Sequence, residues 1–278
     1  MRSTLICVIT FLLGGLTTLV SAEERRIVTL GAGVTETVFA LGLGQDVVGV
    51  DVSSLYPPDA VKKPKVGYVR MTSAEGIASL KPTMILAPTF LGPATVQKQL
   101  ADAGLNLKLV EAPKSIDMAM KRVRQIGDIL GKTSGAERLV AEMQKKIDEA
   151  QAHAKGQSPK RILFIFVHGG TAMQVGGLKT AANVMIQAAG ATNAVTEYEG
   201  YRPLSPEALL IAKPDVILAT TRGLKAIGGE AGVWKSPGLA LTPAGKSKAL
   251  IVMDDLKLLG FGPRTGEAIL ELSRKIYR

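Results

Sequence analysis

Metal-binding and disulfide-forming residues are almost missing from this sequence. It holds one Cys, Cys7, and two His, His153 and His168, in 278 residues. That inventory excludes a Cys/His zinc site, a three-histidine metal site and a disulfide framework. Aromatic residues make up only 4%, with a single Trp, so an aromatic-lined carbohydrate or single-stranded nucleic-acid groove is not expected. Long apolar runs are missing too, apart from one at the N-terminus. No Gly-x-Ser-x-Gly elbow, His-Glu-x-x-His pair or P-loop occurs, which removes the commonest hydrolase, metalloprotease and nucleotide-hydrolase templates. Nor is there a run of five Lys or Arg.

What remains is a globular composition: 46% hydrophobic, 21% charged, with 30 Gly and 14 Pro scattered along the chain. The N-terminal run reads as a leader. Arg2 supplies a positive start, Leu5 to Val20 is largely apolar, and Val20-Ser21-Ala22 ends in small residues, as a secretory cleavage site does. Cys7 lies inside the apolar stretch, so residues 23–278 contain no thiol. Export to a periplasm follows as the expectation. The net charge of +10 then argues for a solvated basic surface and an anionic small ligand rather than nucleic acid.

The rest of the chain repeats a plan. Arg26 to Leu30 is a β-branched apolar run, Gly31-Ala32-Gly33 a turn, Thr35 to Leu41 a helix closed by Gly42 and Gly44, and Val47 to Val50 a second strand. Arg161 to Val167, Gly169-Gly170 and the helix Thr180 to Ala189 repeat that order. A tighter repeat pairs residues 73–87, SAEGIASLKPTMILA, with residues 205–219, SPEALLIAKPDVILA. In each, a Ser caps a short helix, an acid sits in its first turn, and Lys-Pro stops it before a buried strand. Between the halves, residues 116–154 are helical, with a break at Gly131 to Gly135. The expected fold is α/β: two Rossmann-like lobes with parallel sheets, joined by a long rigid backbone helix, with the ligand in the cleft between them. The divisions are residues 1–22 (signal peptide), 23–115 (N-terminal lobe), 116–157 (helical linker) and 158–278 (C-terminal lobe).

This order of elements resembles the periplasmic substrate-binding proteins of ABC importers, in the helical-backbone class that serves siderophores, cobalamin and haem. Within it, Val66-Gly67-Tyr68-Val69-Arg70 followed by Ser73-Ala74-Glu75-Gly76 is similar to the haem-uptake branch. That resemblance implies a non-catalytic carrier of ferric haem b, with Tyr68 as axial iron ligand and Arg70 supporting it. It also implies delivery to an inner-membrane permease and its ATPase, an outer-membrane haem receptor upstream, and a monomer without nucleic-acid partners. The same fold carrying a siderophore or cobalamin is the alternative. Phenolate is among the few side chains used on haem iron, and a guanidinium nearby favours its charged form. Tyr68 and Arg70 are expected on one side of an extended segment, since strand side chains repeat every two residues.

Further candidates are weaker. His168 follows a buried strand at its carboxyl end, where it is either a second iron ligand or a hydrogen-bonded turn residue. Tyr201 and Arg202 precede the second repeat as Tyr68 and Arg70 precede the first, and would meet the haem edge, a propionate or the rim. His153 reads as a solvated helix residue. In the resembled class, glutamates on the two lobes dock onto permease arginines, and Glu75 and Glu207 hold those places. The stretch Gly31 to Glu36, with Asp51 after the second strand, imitates a dinucleotide turn. Glu36 at the third glycine position argues against it.

Overall fold

The computed structural model describes residues 24–167 and 173–278. The leader at residues 1–22, and His168 with Gly169-Gly170, lie outside them. No helix among the described residues is long and apolar enough to cross a membrane.

The first apolar run forms the buried strand β1 (Ile27–Thr29), and Gly31, at φ 87°, turns the chain directly into α1 (Ala32–Ala40). The helix thus starts three residues before the expected Thr35, because one glycine in the left-handed region suffices for the turn. After β2 (Val47–Val50) and α2 (Pro58–Val61) comes a hairpin of β3 (Gly67–Tyr68) and β4 (Met71–Thr72). Then follow α3 (Ala74–Ala78), β5 (Met84–Pro88), α4 (Ala94–Asp102) and β6 (Leu107–Val110). The main strands make a parallel sheet of order β2-β1-β5-β6.

The helical stretch divides into α5 (Ile116–Ile129) and α6 (Thr133–Ala154). Gly131, at φ 66°, closes α5 in the manner of a left-handed cap. Gly135 lies within α6 and not in the break. At 22 residues, α6 spans about 33 Å.

The second half begins with β7 (Arg161–Phe166) and β8 (Gln174–Gly176), then α7 (Ala181–Ala188), β9 (Thr192–Asn193) and β10 (Tyr201–Pro203). It continues through α8 (Pro206–Ala212), β11 (Val216–Thr220), α9 (Thr221–Ala226), α10 (Glu230–Lys235) and α11 (Pro243–Ser247). It ends in β12 (Leu250–Met253), α12 (Asp255–Leu259) and α13 (Thr265–Ile276). Its sheet has the order β10-β8-β7-β11-β12, with β9 also on β7. Here the expectation of parallel sheets fails in part: β8 runs antiparallel to both neighbours. Only residues 167–173 connect β7 to β8, too few for the crossover that a parallel neighbour requires.

The repeat is reproduced residue by residue. Ser73 Oγ accepts from Gly76 N at 2.9 Å and Ser205 Oγ from Ala208 N at 3.2 Å. Lys81 and Lys213 take left-handed φ values of 47° and 38° before their prolines. The strands that follow, β5 and β11, occupy matching interior places, beside β1 and β7.

Side chains alternate across the sheets. Ile27, Leu86, Ile162, Phe164 and Leu218 face one continuous core that also takes in α1, α5, α6, α7 and α13. Val28, Ile85 and Ala87 face a second core over the first sheet, and Leu163, Ile165 and Ile217 a third over the other. The spacer helix is therefore not a free rod. It packs between α5 and α13, and Gly266 of α13 approaches so closely that a Cβ there would lie 2.4 Å from Met143 O. Seven residues on, Ser273 Oγ donates to Ala150 O at 3.2 Å, so α6 and α13 run side by side in the same direction.

Candidate ligand-binding cleft

Tyr68 sits on a short hairpin that buried valines hold down. Val66 and Val69 insert beneath it into the core over the first sheet, and Gly67, at φ 98°, allows the chain to enter the hairpin. Val69 O accepts from Gly92 N at 3.0 Å, and Gly92 O from Thr72 N at 3.2 Å, which ties the hairpin to the loop after β5. Val69 and Arg70 form the turn itself, since Tyr68 is registered opposite Met71. The extended Tyr68–Arg70 segment expected from strand alternation is thus corrected to a reversal of the chain. Both side chains nevertheless line one cleft. Tyr68 is 43% exposed, and the Arg70 guanidinium rests 4.2 Å above the Phe90 ring, a cation–π contact that fixes its place.

The cleft has a volume of about 320 Å³. Its walls come from Gly31 to Val34 after β1, Pro88 at the end of β5 with Phe90 beyond it, and Ala112-Pro113 after β6. Ala181 and Leu259 to Phe261 close it from the second half. It lies at the carboxyl ends of parallel strands, where open α/β sheets bind ligands. A cavity of about 550 Å³ lies at the other end of α1, lined by Phe39, Tyr56, Met143 and Arg264 among others. Tyr68 is not among its lining residues.

Two basic residues that sequence reading passed over join the halves, Arg122 at this cleft and Arg264 at the other cavity. Arg122 of α5, only 7% exposed, donates from Nη2 to Gly260 O at 3.1 Å and Phe261 O at 2.8 Å. Burial draws its pKa down to about 10, against a smaller opposing pull from Glu36. Arg264 grips the buried Glu36 carboxylate with Nε at 3.0 Å and Nη2 at 2.8 Å. A signal for Arg122 existed: it stands on the apolar stripe of α5 with Ala119, Val123 and Ile126. The imitation dinucleotide turn has a packing cause, since Gly33 is needed for close approach. A Cβ on Gly33 would lie 2.2 Å from Arg122 Nη2. Asp51 likewise has no ribose to hold, because it accepts from Gly31 N at 2.9 Å and Ser54 Oγ at 2.6 Å.

The remaining candidates fall elsewhere. Tyr201 and Arg202 stand on the edge strand β10. The Tyr201 ring packs 5.2 Å from Phe166; burial pushes its phenol up, while a hydrogen bond with Thr180 draws it down. Arg202 lies 4.4 Å over the Tyr198 ring. His153 is half-buried in the last turn of α6, with Nδ1 unpartnered. Glu75 is exposed in the first turn of α3, and Glu207 occupies the first turn of α8. Among the described residues no cluster of His, Cys, Asp and Glu could hold a metal ion.

A periplasmic binding protein family model matches residues 27–256. The chain belongs to that family. Periplasmic binding proteins of this kind capture solutes for transporters and are not enzymes. Among solved structures, the family member RhuT, a periplasmic heme-binding protein from Roseiflexus sp. RS-1 in apo form, is similar at 42% identity with a TM-score of 0.87, covering 92% of this chain and 98% of that one. An uncharacterized ABC transporter substrate-binding lipoprotein of Bacillus subtilis, YvrC, is 32% identical over 93% of this chain and 82% of its own length. A cobalamin-binding protein of Halobacterium salinarum is 29% identical over 71% of this chain and 54% of its own length.

Proposed function

We propose that this periplasmic binding protein captures ferric haem in the cleft and delivers it to an ABC-type importer. The observation that carries the reading is the half-exposed Tyr68 phenol on the wall of a cleft at the carboxyl ends of parallel strands. A phenolate there meets the demand of ferric iron for an anionic oxygen. Arg70, fixed over Phe90 on the same wall, brings a guanidinium into the same cleft. The similarity to a heme-binding protein over nearly the whole chain supports the same ligand. Glu75 and Glu207, each in the first turn of a short capped helix, serve as the paired docking points for the permease.

Haem titrated into purified apoprotein tests this. Stoichiometric binding with a tyrosinate-ligated ferric spectrum is expected, and Tyr68→Phe should lose that spectrum without unfolding. The rival ligand is cobalamin, which the similarity to a cobalamin-binding protein favours. Saturable cobalamin binding with no stoichiometric haem complex would reverse the assignment.

A further inference from the structure

We propose that the cleft floor is a receptor for a carboxylate of the ligand, formed by the Arg122 guanidinium and the first-turn amides of α1 at Ala32 and Gly33. The inference rests on this cleft being the ligand site, and it adds a selection rule: ligands with free carboxylates are preferred over those whose carboxylates are amides.

Arg122 is the unfinished element. Only Nη2 is committed, to two backbone carbonyls, whereas Nε is buried without any partner. A buried donor left unmatched is destabilising, and more so on a charged group. The carboxylates of Glu36 and Asp51 are already engaged. Glu36 gives both oxygens to Arg264, and Asp51 accepts from Gly31, Ser53 and Ser54. The cleft lining includes Arg70 and Arg122 but no Asp or Glu.

The helix start supplies the second half of the receptor. Val34 N and Thr35 N reach back to Gly31 O, while the amides of Ala32 and Gly33 belong to the first turn, which has no carbonyl of its own helix to meet. Such amides, with the helix dipole behind them, favour an anion. Gly33, bare of a Cβ, lets the guanidinium come against this turn. Cation, amides and cleft thus converge on one place, and a carboxylate there would gain charge-assisted hydrogen bonds. A porphyrin offers two propionates for such a place. Cobalamin carries amides around its ring.

The test separates this receptor from the haem assignment. The Nε–H signal of Arg122, identified by its disappearance in Arg122→Lys, is followed by nuclear magnetic resonance while acetate is added to the apoprotein, with acetamide as control. A saturable shift with acetate alone is expected; no shift with acetate would overturn the receptor whether or not haem binds. Haem and its dimethyl ester are then titrated into the wild-type protein. The ester should bind at least about tenfold more weakly while retaining the tyrosinate spectrum, and Arg122→Gln should remove the difference. Equal affinity of acid and ester for the wild type would also overturn the proposal, and that comparison needs no variant that has to fold.

Discussion

The two halves of the molecule carry the same fifteen-residue cassette and nearly the same central strands, yet their tyrosines stand in different chemistry. Tyr68 rides a hairpin anchored by buried Val66, Val69 and Thr72, and it lines a cleft. Tyr201, 38% exposed against 43% for Tyr68, sits on an edge strand against Phe166 and Phe164, where desolvation of the phenol raises its pKa. The repeat governs scaffold; the segments just before it decide where each tyrosine stands, Tyr68 in the cleft lining and Tyr201 outside it. A tyrosine–arginine pair ahead of the Ser cap is therefore not enough to define a site.

The largest expected effect comes from cutting what ties the halves together. Arg264→Met strands the buried Glu36 carboxylate and should cost about 3 kcal/mol in urea unfolding. A loss near zero would mean that the halves are held by the shared core alone. Next is the contrast between the tyrosines. Tyr68→Phe should weaken ferric haem binding by about 100-fold, and Tyr201→Phe should change it by no more than about twofold, read from optical titrations. Comparable losses would erase the distinction drawn here. Ser73→Ala and Ser205→Ala probe the shared cassette instead, and each should cost about 1 kcal/mol of stability with haem affinity unchanged. Unequal values would show that the repeat is one of pattern and not of energetics.

The smallest effect is on alkaline stability. An unfolded chain releases a tyrosine proton near pH 10; folded Tyr201 holds it to higher pH. Its contribution is intact below about pH 10 and is lost as pH climbs through the folded value. Tyr201→Phe should flatten that decline, and an ultraviolet titration should show one late-ionising phenol fewer.

Much of the fold was legible because local rules and tertiary demands agree. The Ser caps, the Lys-Pro stops and the apolar strands are all where the repeat puts them. The antiparallel β8 was not legible, since nothing in residues 174–176 announces a reversal and only the shortness of the preceding connection requires it. The backbone course at Tyr68 was not legible, because a two-residue turn and a continuing strand look alike over Tyr68-Val69-Arg70. Arg122 and the Glu36–Arg264 contact were missed for another reason. Their partners lie more than a hundred residues away in sequence, so pattern reading along one helix cannot pair them.

The side-by-side course of α6 and α13 bears on the order in which the molecule can be made. Residues 155–264 separate the two helices, so a chain emerging N-terminus first presents the first sheet, α5 and α6 long before α13. Until then Met143, Ile147 and Ala150 of α6 have no Gly266 or Ser273 to cover them. The first half can pair its strands early, but the apolar stripe of α6 is covered only when α13 arrives. Covering that stripe is thus a closing event of synthesis.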